Sequence, residues 1–390
     1  MKKLLVGIFM FVMVIIGVFA LNTHSMAKTY SADGKKFYHL TGKLITKDNW
    51  DRRGNPRTEF ILKLSKKIKV HSKFYKCTDK IKKLTLDYYT SRALFSRQGK
   101  RVHIICKIGR SVSAYRSCMY YGYDWYFDGG KKPSAAAPKI VELEESTLYK
   151  GYDVTGDGKT DSIIYMSEIS YNNDVQYDSM KLMINGKEVF SHDEFEGQPR
   201  VNLLLIQNDT VLLEVTHYGE DATKLTWICS YKGSKWKELK DLTENDGDYA
   251  WTVGSVEEVS SDIIKVNYSG LTGLVGAISY SKEYEFTNDT LVEKDQAVDL
   301  YITKRGTGSN EPVKNQVMTA SRKMKVYCQA DFSSSIAYQI TSGDDVMFSQ
   351  IIVIDGRPWF YVISDGDQGW LPGEAFNEQE YYFKDTVFYG

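Results

Sequence analysis

Short runs of β-branched and aromatic residues recur about every ten positions along this chain, each ended by a turn signal. The clearest case is Leu182-Met183-Ile184, then Asn185-Gly186, then Lys187-Glu188-Val189-Phe190. Asn-Gly between two apolar runs is the pattern of a type I′ hairpin, because both turn residues tolerate positive φ. Three more hairpins follow the same logic, with turns at Asn208-Asp209, Lys232-Gly233-Ser234 and Thr287-Asn288-Asp289. Stretches with a long amphipathic helical period are scarce. Tyrosine is abundant at 28 and proline rare at 7, which suits strands. The expectation is an all-β protein, and 390 residues imply more than one domain.

Two linkers divide the chain. Residues 129–138 are small, glycine-rich and flanked by proline; residues 304–315 hold Gly306, Gly308, Ser309, Asn310 and Pro312. The expected parts are a leader at 1–27, a basic domain at 28–135, an acidic β-rich domain at 140–303 and a small domain at 318–378. The leader has Lys2 and Lys3, then 18 uncharged residues to Leu21, then Ser25-Met26-Ala27. That is the layout of a cleaved secretory signal, with an uncleaved anchor as the other reading. The expected location is secreted or associated with the cell wall. Cysteines 77, 106, 118, 229 and 328 are odd in number and scattered, so they form no disulfide framework. Cys106 and Cys118 could pair, or all five could be small buried apolar residues.

Charge is segregated. The whole chain balances 50 basic against 50 acidic residues, yet residues 28–139 carry 27 Lys/Arg and only 8 Asp/Glu. Residues 140–390 carry the compensating acid, 42 Asp/Glu against 21 Lys/Arg. Within the basic part Lys66, Lys67, Lys69, Lys73, Lys76, Lys82 and Lys83 are the candidate polyanion-binding residues. They alternate with Phe60, Phe74, Tyr75, Tyr88 and Tyr89. Basic side chains interleaved with aromatics can hold an anionic polymer, and a solvated basic face is the alternative. His39, His71 and His103 have no matching acidic and nucleophilic neighbours, so they read as structural.

Strands are expected over 37–45, 59–64, 69–74, 101–107 and 114–121, with 81–89 a strand or a short helix. Their order resembles an OB-fold. Thr41-Gly42-Lys43-Leu44 resembles the opening "TGxL" strand of exported bacterial OB-like domains, and Gly99-Lys100-Arg101-Val102-His103-Ile104 resembles their "GKxVxI" strand. The resemblance implies a small OB-like barrel with a ligand groove.

Asp153-Val154-Thr155-Gly156-Asp157-Gly158-Lys159-Thr160-Asp161 places oxygen side chains at loop positions 1, 3, 5 and 9 and glycine at 6. Such alternation suits calcium, with Asp153, Thr155, Asp157, Asp161 and the Lys159 carbonyl as candidate ligands. Position 12 is Ile164, so this is not an EF-hand. The loop is similar to those of FG-GAP-type repeats in β-propellers, where "DxxxDGxxD" runs straight into a strand. A plain Gly/Asp turn without metal is the alternative. The surrounding hairpins fit either a β-propeller-like or a β-sandwich domain.

Residues 320–377 resemble a bacterial SH3 domain. The matching segments are Met324-Lys325-Val326-Tyr327, the Gly343-Asp344 turn, Pro358-Trp359-Phe360-Tyr361-Val362 and Gly369-Trp370-Leu371. The resemblance implies an SH3-like barrel that binds cell-wall peptidoglycan or its peptides. Tyr327, Trp359 and Tyr361 are then candidates for a ligand groove, with Trp370 packed inside. The family's "NxRxGPS" loop is replaced by Gln329-Ala330-Asp331-Phe332.

No Gly-x-Ser-x-Gly, His-Glu-x-x-His or Cys–His signature is present. The expected function is a non-catalytic envelope protein, its SH3-like module on peptidoglycan or peptide and its basic domain on an anionic polymer. The alternatives are an accessory or cryptic wall hydrolase or nuclease component, and an adhesin or sensor for a protein partner.

Overall fold

The structure is a computed structural model. It describes residues 29–50, 56–86, 92–110, 120–131, 139–172, 175–195, 199–207, 210–218, 224–246, 249–294, 297–303, 312–373, 382–384 and 386. The leader, Asn208-Asp209, Tyr88, Tyr89 and Cys118 lie outside these residues. The protein is all-β, as the recurring hairpins predict, and the helix α1 (Arg92–Ser96) has five residues. Among the described residues no helix is long and apolar enough to cross a membrane. The chain falls into two compact units, one running to Gly129 and including Glu145–Leu148, the other comprising the remainder.

The first unit holds β1 (Thr29–Ser31), β2 (Phe37–Trp50), β3 (Pro56–Ser72), β4 (Cys77–Leu86), β5 (Arg101–Arg110) and β6 (Tyr120–Lys131). Antiparallel pairing links β4 to β3, β3 to β2, β2 to β5 and β5 to β6. Strand β4 then meets β6 in parallel, but only at Thr85↔Tyr121 and Leu86↔Gly122. The sheet is therefore rolled around one core with a seam left largely open. The expected barrel is not fully closed, because only the end of β4 reaches β6. A polar cluster sits across that seam. Tyr120 Oη donates to Asp79 Oδ2 at 2.6 Å, and Arg110 Nε stands 3.9 Å from the same oxygen. Burial, then the Asp79 carboxylate, pushes the Tyr120 phenol above its usual range, so it remains a donor.

Strand β3 corrects the expectation of separate strands at 59–64 and 69–74. It is one strand with a register shift between Lys63 and Ile68. Phe60, Leu62 and Leu64 point inward with Leu40, Leu44, Val102 and Ile104, as a period of two requires. Phe60 is fully buried against Phe95 and is not a surface aromatic.

The second unit takes in β7 (Lys139–Glu142) and, from Tyr149 on, β8 (Thr147–Tyr152). Its first sheet is the antiparallel run of β8, β9 (Asp161–Asn172), β10 (Val175–Ile184) and β11 (Lys187–Phe195). The second sheet has the order β15-β14-β13-β12-β7, from β12 (Arg200–Leu205), β13 (Val211–Tyr218), β14 (Lys224–Lys232) and β15 (Lys235–Asp241). The third sheet runs through β16 (Thr243–Asp246), β17 (Tyr249–Ser260), β18 (Ile263–Thr272), β19 (Gly276–Thr287), β20 (Thr290–Glu293) and β21 (Val298–Thr303).

These sheets stack face to face. Leu203, Leu213, Val215 and Cys229 of the second sheet pack with Tyr165, Met180 and Leu182 of the first. Leu204, Leu212 and Ile228 pack with Ile264, Val266 and Tyr268 of the third. Adjacent residues of one strand thus serve two cores, which explains why Leu203-Leu204-Leu205 is apolar without alternation. The buried carboxylate of Glu214 satisfies the amide of Val256, at 2.8 Å, beside the β17 bulge.

The C-terminal strands are β22 (Pro312–Lys314), β23 (Gln316–Thr319), β24 (Met324–Tyr327), β25 (Ile336–Ile340), β26 (Asp345–Ile354), β27 (Arg357–Ser364) and β28 (Asp367–Pro372). They pair in the order β23-β26-β27-β28-β24-β25, and β26 also pairs with β21 at Val298↔Ile351. The link from β28 to β24 is the single pair Tyr327↔Trp370. Among the described residues β23 and β25 do not meet, so this sheet too is open rather than a closed barrel.

Candidate binding surfaces

The candidate lysines of the first unit lie on β3, β4 and their turn. Lys69 stands directly opposite Lys80, and Lys63 directly opposite Lys83. All four are exposed, and none has an ion pair among the described residues. Like charges at opposed sheet positions are destabilising, so this face costs folding energy when bare. Lys66 and Lys67 are exposed in the irregular stretch of β3, and Lys73 and Lys76 are exposed in the turn to β4. Lys82 differs. It is half-buried and its Nζ donates to the Ser65 carbonyl at 2.8 Å, bracing the bulge. Phe74 is 85% exposed at the same turn, with its ring 4.8 Å from that of Tyr75.

The histidines take part in local polar contacts. His71 Nδ1 lies 2.9 Å from Thr78 Oγ1, His103 Nδ1 lies 3.0 Å from Thr41 Oγ1, and His39 stands 3.8 Å from Asp128. Cys106 is buried, and that burial pushes its thiol up to about 12, so it stays neutral and inert.

The loop before β9 is held by its own donors. Asp161 is buried and accepts from the amides of Val154 (2.7 Å) and Thr155 (2.9 Å), from Asn185 Nδ2 (2.6 Å) and from Thr155 Oγ1 (3.3 Å). Asp153 accepts the amides of Gly156, Asp157 and Gly158, and Asp157 accepts that of Lys159. A carboxylate offers about four lone-pair sites, so Asp161 is fully engaged. Among the described residues no group of three or more His, Cys, Asp or Glu side chains is arranged to hold a metal. Both glycines of the loop have positive φ, 71° at Gly156 and 81° at Gly158, as so tight a turn requires.

Aromatic rings gather on the outer face of β24, β27 and β28. Phe360, Val362, Leu371 and Val326 face the core, so their neighbours in sequence face outward. Trp359, only 3% exposed, lies under Phe332 (4.8 Å between ring centres) and Tyr327 (5.9 Å). Tyr361 instead pairs with Trp370 at 5.1 Å. The structure thus brings Tyr327 and Trp359 together and sets Tyr361 one step along the face. Trp370 is half-buried on the outer face, not inside; the core position belongs to its neighbour Leu371.

A cleft of about 560 Å³ adjoins this group, lined by Phe332, Trp359, Ile354, Arg357, Asp331 and Asp355 among others. Hydrogen bonds from Ser333 hold the Asp331 carboxyl below its usual range, so it stays charged. Phe332 is 51% exposed and its ring lies 5.2 Å from the Arg357 guanidinium. It was not among the sequence candidates; its one sequence signal is a large apolar residue inside an otherwise polar loop.

No protein-family model matches the chain, and no curated protein matches it.

Proposed function

We propose that the chain is a non-catalytic binding protein of a bacterial cell envelope, exported behind a leader at residues 1–27. Its basic unit binds an anionic polymer, and its C-terminal sheet binds wall peptidoglycan or peptide. The observation that carries the reading is the exposed face of β3 and β4, where lysine stands opposite lysine without an ion pair among the described residues. A bound polyanion removes that repulsion. The pairing order β3-β2-β5-β6, with α1 between β4 and β5 and a parallel β4–β6 contact, supports the OB-like reading. A partly open five-stranded barrel is a known platform for oligonucleotides and oligosaccharides.

The aromatic face supports the SH3-like reading. Edge-on and tilted aromatic rings beside charged groups suit an amphipathic ligand such as a sugar-linked peptide. The full chain is expected to co-sediment with peptidoglycan stripped of anionic polymers. Phe332→Ala should weaken that binding about tenfold, the loss of one exposed aromatic anchor, with an unchanged melting temperature. Equal binding by the variant would remove the aromatic face from the account.

Calcium at the loop 153–161 belongs to the same proposal as a stabiliser of the middle sheets. It requires Asp153 and Asp161 to exchange amide hydrogen bonds for the ion.

A further inference from the structure

The strand register places a third and a fourth cation beside the Lys63–Lys83 pair. Lys43 of β2 stands opposite Lys63 of β3, and Arg101 of β5 stands opposite Lys43. Arg101, Lys43, Lys63 and Lys83 therefore form one transverse rank across β5-β2-β3-β4, all exposed. Neighbouring strands lie ~4.8 Å apart, so the rank extends ~14 Å. None of the four has an ion pair among the described residues. The same-face neighbours Thr41, Ile45, Ile61, Thr85 and His103 include no carboxylate. Glu59, the nearest acid on β3, is buried.

We infer that this rank is the seat of a linear, phosphate-bearing polymer without bases, lying across the strands with a cation at each strand step. The inference rests on the polyanion reading above and names its ligand class. Three features favour phosphate without bases. Arg101 offers a planar fork suited to phosphate oxygens. The lysines are point charges that need no fixed donor geometry. No Phe, Tyr or Trp ring stands in the rank or among those neighbours, and the His103 imidazole is tied to Thr41 Oγ1 at 3.0 Å, whereas single-stranded nucleic acid is held largely by base stacking. At the β5 end, Arg101 also lines a cleft of about 390 Å³ with Lys66, His39, Thr41, Ser65 and Tyr30, so the positive path continues there.

The test is fluorescence anisotropy of labelled linear inorganic polyphosphate with the full chain, beside an oligothymidylate of similar charge. K43Q/K63Q removes two members of the rank; K35Q/K36Q removes two exposed lysines ahead of β2, outside both the rank and the candidate set, and the same charge. The expected result is polyphosphate bound more tightly than oligothymidylate. K43Q/K63Q should weaken polyphosphate binding at least tenfold and lower its salt slope by about 1.4, about 0.7 for each phosphate no longer neutralised. K35Q/K36Q should change affinity less than threefold. The melting temperature of K43Q/K63Q should equal or exceed that of the unaltered chain, because repulsion is relieved. Equal losses in the two variants would overturn the rank while leaving the polyanion reading intact. Tighter binding of oligothymidylate would overturn the ligand class. No polyphosphate or oligothymidylate binding by the unaltered chain would overturn the polyanion reading itself.

Discussion

Gly42→Ala is expected to destabilise the first unit by about 3 kcal/mol, the upper end of overpacking effects. Gly42 faces inward on β2 between Leu64 and Val102. A Cβ there would lie 2.5 Å from the Lys63 carbonyl oxygen and 2.9 Å from Leu62 Cδ1. A side chain could swing aside, but the nearest atom is backbone, so β2 and β3 must separate locally. That movement displaces Lys63 from Lys43 and disturbs the cationic rank. The variant should therefore lose polyphosphate affinity together with stability, as read by anisotropy and thermal melting. A melting temperature within a degree of the unaltered chain would show that the close approach is not real.

The second large effect is at Asp161. Replacing it by alanine leaves the amides of Val154 and Thr155 and the Asn185 side-chain amide without their acceptor. Hydrogen bonds to a charged group contribute about 1.5–3 kcal/mol each, with strong non-additivity, so a loss of about 3 kcal/mol is expected. Val154 is buried and belongs to the cluster between the first and second sheets, so the damage reaches the core. Chemical denaturation in a calcium chelator and in millimolar calcium separates the two roles of the loop. A loss of equal size in both media assigns it to hydrogen bonding. A loss confined to the calcium medium would assign Asp161 to the ion instead.

Local structure was far more legible in the sequence than long-range arrangement. Turns were readable because their chemistry is local. Asn185-Gly186 has φ of 52° and 75°, and Asn288-Asp289 has 51° and 59°. Those residue types tolerate positive φ at little cost, so each hairpin declares itself. The candidate lysines were readable as a cluster but not as a pattern. The register shift between Lys63 and Ile68 breaks the period of two. Arg101 and Lys43 face each other through pairing that sequence distance cannot reveal.

The same limit explains Trp370. Trp370 and Leu371 are both apolar, and alternation alone does not say which faces the core. Its place is set by pairing opposite Tyr361 and Tyr327, which puts Trp370 outside. The stack of three sheets was also hidden. Each hairpin could be read, but the partner of an apolar face is decided by packing, as Leu203 and Leu204 show by serving different cores. Closure of the two small barrels was over-read, because β4 meets β6 at two residue pairs and β28 meets β24 at one.

The central claim is that the exposed cationic face of the first unit binds an anionic polymer. Its most direct test is the affinity of the full chain for cell-wall sacculi that retain their phosphate polymers, measured from about 50 to 300 mM salt. Four cation–phosphate contacts predict that log K falls against log salt with a slope of about −3. A slope near zero, or affinity unchanged when the phosphate polymers are extracted, would contradict it.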